Sequence, residues 1–303
     1  MWSTLESAGR GAAEVAGLLA VMTIGAGAIW AIVTALTLHA ARTQRPRWSE
    51  RAGLWLIVVG GVVVPLVVLS ALLMAGMPEL SRLRQAAPSG TLRVHVSGEQ
   101  WWWRVRYEQP GGSPIELANE LRLPRGQPIE VILSSVDVIH SFWVPSLAGK
   151  MDMIPGRVTR VILEPEQNGI YRGVCAEYCG ASHARMGFVV EVMEPAAFSA
   201  WVAAQSQPAP AVDSPGSRVF ESSGCAACHA IRGTSADSSI GPDLTHVGSR
   251  LTLAGGTMPN TIEHMERWLA NPAASKPGAL MPPFGSLAAA DLRALAVYLK
   301  DLQ

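Results

Sequence analysis

The chain has 303 residues, and its 24 basic and 24 acidic side chains cancel at neutral pH, so nucleic acid is not an implied partner. That length allows two or three domains. Hydrophobic residues make up 49% and charged ones 16%, and the apolar excess is concentrated near the N-terminus, which points to a membrane.

Residues 15–38 (VAGLLAVMTIGAGAIWAIVTALTL) and 54–75 (LWLIVVGGVVVPLVVLSALLMA) contain no charged side chain. Each exceeds the ~20 residues that a helix needs to cross a bilayer. They read as a transmembrane helical hairpin within an N-terminal unit of residues 1–80, with Pro65 kinking the second helix rather than ending it. The connection holds Arg42, Arg45, Arg47 and Arg51 against one acid, Glu50. The positive-inside bias puts that loop in the cytoplasm and both termini outside. The first run is too long for a cleavable signal and no small-residue cleavage site follows it.

Over residues 90–195 the pattern changes to short alternating segments separated by Gly, Pro and Asn, among them TLRVHVS, QPIEVILSS, RVTRVILEP and MGFVVEVM. These are strands of an all-β sandwich or barrel. In GEQWWWRVRY, alternation sends Trp101 and Trp103 to one face and Trp102 to the other, with at least one ring in the core and at least one exposed. VDVIHSFWVP reads as a strand carrying His140.

The loop CAEYCGASHARM at 175–186 gathers Cys175, Cys179, His183 and Met186 within twelve residues, and His140 can complete the set. Two cysteines four apart could form a disulfide, but the whole set suits a metal. Soft sulfur with imidazole favours copper, and Met is a poor zinc ligand. A mononuclear blue-copper loop offers one cysteine between its histidine and methionine. Here two thiolates can bridge two copper ions.

Residues 203–215 carry Pro, Ser and Ala with no large apolar side chain and read as a flexible linker. The final unit, residues 216–303, holds CAACH at 225–229, the C-x-x-C-H pattern of c-type haem attachment. Cys225 and Cys228 would bond the porphyrin vinyls and His229 the iron. The sixth iron ligand lies between Met258 in GTMPN and Met281 in GALMPPF, while His246 and His264 read as surface residues.

The copper-type ligand set, with KMDMIPGR at 150–157, resembles the copper A domain of cytochrome c oxidase subunit II. CAACH followed by GPDL at 241–244 resembles cytochrome c. The two together, behind a membrane hairpin, resemble subunit II of a caa-type oxidase with a fused cytochrome c.

The resemblance implies a cupredoxin fold followed by an all-α class I cytochrome c domain. It implies a binuclear copper A centre held by His140, Cys175, the backbone carbonyl of Glu177, Cys179, His183 and Met186. The Glu177 carboxylate would help to hold magnesium at the boundary with subunit I, and Trp101 would receive electrons above the copper. It selects Met281 as the axial ligand, because the family places that residue just before the last helix. It also pairs Gly216 and Phe220 with that helix near Tyr298.

As a whole, the resemblance implies an electron-input subunit in a bacterial inner membrane, with its metal domains on the outer side. Its partners would be subunit I, where haem a and the oxygen-reducing, proton-translocating site lie, subunit III, lipid and an external cytochrome donor. The family often has a glutamate near the start of the second helix at a proton-channel mouth. Ala52 stands there, with Glu50 as a substitute. A copper A-containing nitric oxide reductase would use a similar electron-input subunit.

Overall fold

The structure, a computed structural model, describes all residues except 1–5, 44–48, 84–86, 110, 113 and 211, and the side chains of 78–83. Arg45 and Arg47 of the inter-helix loop therefore lie outside the described residues.

Helix α1 (Arg10–Arg42) covers the first apolar run. The second begins as α2 (Glu50–Val58), where the Ser49 hydroxyl caps the Ala52 amide, passes through a π turn at Val59–Val63, and continues as α3 (Val64–Leu83). Pro65 has no N–H and its ring crowds the carbonyl four residues back. The wider turn just before it absorbs that conflict and the helix runs on. Among the described residues two helices, Arg10–Arg42 and Glu50–Met77, are long and apolar enough to cross a membrane. Both expose apolar side chains on all sides, as at Trp30, Ile32, Leu66 and Leu73, which suits lipid contact.

The chain start is tied to the β domain. The Ala8 amide donates to the Ser146 carbonyl at 2.8 Å, the Glu166 amide donates to the Ala8 carbonyl at 2.8 Å, and Arg10 pairs with Glu164 at 3.3 Å. Gly9 is required there, since a Cβ would sit 2.8 Å from the Leu147 carbonyl oxygen.

The β domain is a sandwich of two five-stranded sheets. Its strands are β1 (Leu92–Glu99), β2 (Trp102–Tyr107), β3 (Ile115–Ala118), β4 (Glu120–Pro124), β5 (Ile129–Ser135), β6 (His140–Trp143), β7 (Met151–Met153), β8 (Thr159–Leu163), β9 (Gly169–Cys175) and β10 (Gly187–Met193). One sheet runs β3-β2-β1-β5-β8 and the other β4-β10-β9-β6-β7. Pairing is antiparallel except β1 with β5 and β4 with β10. Alternate residues such as Val94, Val96, Val131, Leu133, Val190 and Val192 turn inward and join Trp103, Phe142 and Phe188 in one core.

Helix α4 (Pro195–Gln205) comes next in the chain. It reaches into the segment expected to be a flexible linker, and Ala209 beyond it is tied down. The Ala209 amide donates to the Arg232 carbonyl at 2.9 Å, and the Arg232 guanidinium donates to the Gln205 carbonyl at 2.7 Å. Small side chains gave no sign of this, because the segment is held through its backbone.

The C-terminal domain contains α5 (Pro215–Ser222), α6 (Ile262–Ala270), α7 (Pro272–Ser275) and α8 (Ala289–Asp301). A two-residue ladder, Thr252–Leu253 with Met258–Pro259, and an isolated bridge between Ala230 and Asp237 are departures from an all-α fold. Ser214 and Ser217 form a capping box at α5. Gly216 lets α5 approach α8, where a Cβ would lie 2.1 Å from the Ala294 carbonyl oxygen, and Phe220 meets Tyr298 edge-on at 6.0 Å.

Candidate metal and haem sites

His140 is the first residue of β6, and Cys175 is the last residue of β9, so one sheet edge brings together residues 35 apart. The loop after β9 then turns back through the short 3₁₀ turn His183–Arg185 to Met186. The Cys175 and Cys179 sulfurs are 3.8 Å apart. His140 Nδ1 lies 3.9 Å from the Cys175 sulfur, His183 Nδ1 3.5 Å from the Cys179 sulfur, and Met186 Sδ 3.7 Å from the latter. The Glu177 carbonyl oxygen is 3.2 Å from the Cys175 sulfur. All six residues expected to hold copper thus converge.

These separations fit metal chemistry. Metal–sulfur bonds of ~2.3 Å at near-tetrahedral angles put two sulfurs about 3.8 Å apart. The donor atoms of His140, Cys175 and Cys179 all lie within 4.8 Å of one another, and all three residues are buried. Both cysteines are free thiols, so the disulfide alternative does not apply. The Cys179 S–H, helped by the His140 bond, pulls Cys175 far below the usual thiol range. Cys179 is pushed up by the same contact and by burial.

Asp137 was not among the expected site residues. Its carboxylate accepts from His140 Nε2 at 2.8 Å, which turns Nδ1 toward the sulfurs. It also accepts from the Gln100 amide at 2.6 Å and the Val138 amide at 2.6 Å. Burial works against the charged carboxylate, but these bonds outweigh it and hold its pKa down. Burial would likewise lower His140, yet its bonds to Cys175 and Asp137 leave it raised. The signal in the sequence was an acid three residues before a buried histidine. Gly98 is the other omission: a Cβ there would fall 2.7 Å from the His140 ring.

Trp101 and Trp103 both pack against the core beside the 175–186 loop, as alternation expects, although β2 begins only at Trp102. Trp103 is fully buried and meets the His140 ring at 6.1 Å. Trp102 lies under the Arg104 guanidinium at 4.6 Å. Trp101 donates from Nε1 to the Cys179 carbonyl at 2.9 Å. None of the three is fully exposed, and Trp101 is covered by Gly278 of the C-terminal domain.

In that domain Cys225 and Cys228 are half-buried, and the His229 amide bonds the Cys225 carbonyl at 3.1 Å. His229 Nδ1 donates to the Pro242 carbonyl at 2.7 Å, leaving Nε2 for iron. Burial lowers the His229 pKa and favours the neutral imidazole that a metal ligand must be. Gly241 fits closely against this ring, since a Cβ would sit 2.7 Å from His229 Cε1. Arg250 is half-buried, and its Nε is buried without a partner, which suits an anionic group such as a haem propionate.

Met258 is buried on the small ladder, with its sulfur 3.7 Å from the Ser275 hydroxyl, and Met281 lies half-buried in the loop before α8. His246 is buried rather than on the surface, donating from Nε2 to the Gln207 carbonyl at 3.0 Å. His264 is half-buried and its Nδ1 is 2.9 Å from the Thr261 hydroxyl.

Comparison with known proteins identifies both domains. Residues 109–193 match the family described as cytochrome c oxidase subunit II, periplasmic domain, and residues 214–303 match cytochrome c. Cytochrome c oxidase subunit 2 of Alkalihalophilus pseudofirmus is 36% identical over 217 residues, covering 70% of this chain and 62% of that protein. The chain therefore spans less than two thirds of that relative, and likewise of the Bacillus sp. protein, where 63% is covered at 33% identity. The subunit 2 of Bacillus subtilis is 30% identical over 270 residues, covering 84% of this chain and 73% of that one. The periplasmic domain of subunit II of cytochrome oxidase of Bradyrhizobium japonicum, a solved structure, is 30% identical with a TM-score of 0.37, covering 40% of this chain and 96% of that one. The chain belongs to the cytochrome c oxidase subunit II family, in the form that carries a cytochrome c domain behind its cupredoxin domain.

Proposed function

We propose that the chain passes electrons from a haem c on Cys225, Cys228, His229 and Met281 to a binuclear copper A centre, and on to haem a of subunit I, where oxygen is reduced with proton translocation. The observation that carries this reading is the convergence of six donors at one sheet edge in a chain that also carries the haem motif.

Donor arithmetic favours two metal ions. Six donors exceed what one tetrahedral ion accepts. If both thiolates bridge, each ion receives two sulfurs, one imidazole and one weaker donor, either Met186 or the Glu177 carbonyl. Copper supplies one-electron redox chemistry, and two ions sharing thiolates spread the charge. The chain's own part is to hold the ligands rigidly. Asp137 orients His140, Gln100 donates to the Cys179 carbonyl at 2.6 Å, and Trp103 donates to the Met186 carbonyl at 3.3 Å.

Trp101 is the electron acceptor of the copper domain in this reading, since its indole is bonded to the carbonyl of a copper ligand. Met281 is the axial iron ligand, with Met258 already packed against Ser275. The half-buried Glu177 side chain would help to hold magnesium where subunit I docks.

Two spans return the chain to the side on which it began, and the Ala8 tie keeps that beginning on the β domain. This supports a bacterial inner-membrane protein with both termini and both metal domains outside. Subunit I, subunit III, lipid and an external cytochrome are its partners.

The membrane complex purified with this chain should contain haem a in a second subunit and consume oxygen when haem c is reduced. Reduction of nitric oxide without oxygen consumption would contradict the oxidase reading.

A further inference from the structure

The copper and cytochrome domains fall in one compact unit, and one short segment makes several of the contacts between them. Lys276 is 4% exposed, and its ammonium donates to the Trp101 carbonyl. The Ser182 hydroxyl donates to the Pro277 carbonyl at 2.8 Å, and the Arg185 guanidinium donates to the Ser275 carbonyl at 2.6 Å. Gly278, at φ +83°, lays its backbone on the Trp101 indole, where a Cβ would fall 2.6 Å from two ring carbons. Ser182 and Arg185 flank His183, so the segment touches both the indole and the copper-ligand loop. Arg104 adds a flank by donating to the Ser239 carbonyl at 2.9 Å, and Glu120 adds another by accepting from the Leu251 amide at 2.8 Å.

We propose that residues 275–278 form a docking clamp that holds the haem domain on Trp101, with Gly278 as the positioning residue at the contact. This rests on the electron-relay reading above. Only a residue without Cβ lets the backbone lie on the ring, and Gly278 also adopts the left-handed backbone that disfavours other residues. The segment ends three residues before Met281, so one loop joins the haem ligand to the indole bonded at Cys179. A preformed contact replaces a diffusional search by the tethered domain.

The test compares wild type, Gly278→Leu, Gly278→Ala and Lys276→Gln in the purified complex. Haem c is reduced by a light flash, and the rate at which the copper then takes its electron is followed at increasing glycerol concentration. The clamp predicts a wild-type rate independent of viscosity. Gly278→Leu should slow transfer by about tenfold or more and make it viscosity-dependent, since small misplacements cost large rate factors. Gly278→Ala should move the same way, and Lys276→Gln, whose shorter side chain loses the bond to the Trp101 carbonyl, should slow transfer as well. Hydrogen exchange, which needs no bound copper, should show the Leu251 amide and residues 275–281 losing protection in Gly278→Leu. Unchanged transfer and protection in the glycine variants, with haem and copper spectra intact, would overturn the clamp. A wild-type complex whose copper never takes an electron from the haem, yet whose protection follows Gly278, would overturn the relay reading while leaving the contact standing.

Discussion

A single hydrogen bond decides how His140 meets the metal. Asp137 takes the Nε2 proton, so Nδ1 faces Cys175. Asp137→Asn keeps the shape but loses the charge, and outer partners of this kind usually contribute a factor of 10–100 in affinity. Copper titration of the apo chain should therefore show affinity falling by roughly 10–100-fold, with the haem spectrum unchanged. Unaltered copper affinity would mean that the carboxylate serves the Gln100 and Val138 amides alone.

The residues that converge at the candidate copper site were legible, because cysteines, histidines and methionines advertise their chemistry by type and spacing. Asp137 and Gly98 were not. A carboxylate near a histidine is common on any surface, and the role of Gly98 depends on β1 lying beside His140, a relation between residues 42 apart. Trp101 was legible as a redox candidate, but its cover was not, since Gly278 is a small residue 177 positions away.

At the scale of elements, period-two alternation located β1, β5, β8 and β10 closely. It could not foretell the parallel pairs β1–β5 and β4–β10, which depend on crossovers. It also overextended the strand bearing His140, which occupies only His140–Trp143 because Asp137 turns the preceding residues into a bend around its side chain. In the membrane helices, the apolar runs marked their existence and Pro65 marked a disturbance. The form of that disturbance, a π turn at Val59–Val63, comes from backbone adjustment over a full turn.

The contact of α5 with α8 holds the cytochrome domain together around Gly216 and the Phe220–Tyr298 pair. Gly216→Val would force these helices apart, at a cost of about 1–3 kcal/mol. Thermal unfolding followed at the haem should shift down accordingly while the copper spectrum at low temperature stays the same. No shift would mean that α5 can slide without loss.

At the scale of the whole molecule, three kinds of segment answer three needs. Apolar helices place the chain in lipid, a rigid β sandwich holds soft ligands, and a small helical domain encloses a haem motif. Their order was read from the apolar runs, the period-two alternation and the CAACH motif. The packing of the β and cytochrome domains was not legible, because the Arg232 anchor on Gln205 and the segment 275–278 act through backbone carbonyls that every residue shares.

Two copper ions sharing Cys175 and Cys179, beside one haem c, are central to the proposed relay. The most direct measurement is the copper-to-haem c ratio of the purified complex, together with the electron paramagnetic resonance spectrum of its oxidised copper. Two coppers per haem c, with hyperfine lines spread over both nuclei, is the predicted result. A single localised copper, or no copper in a preparation with full haem, would contradict it.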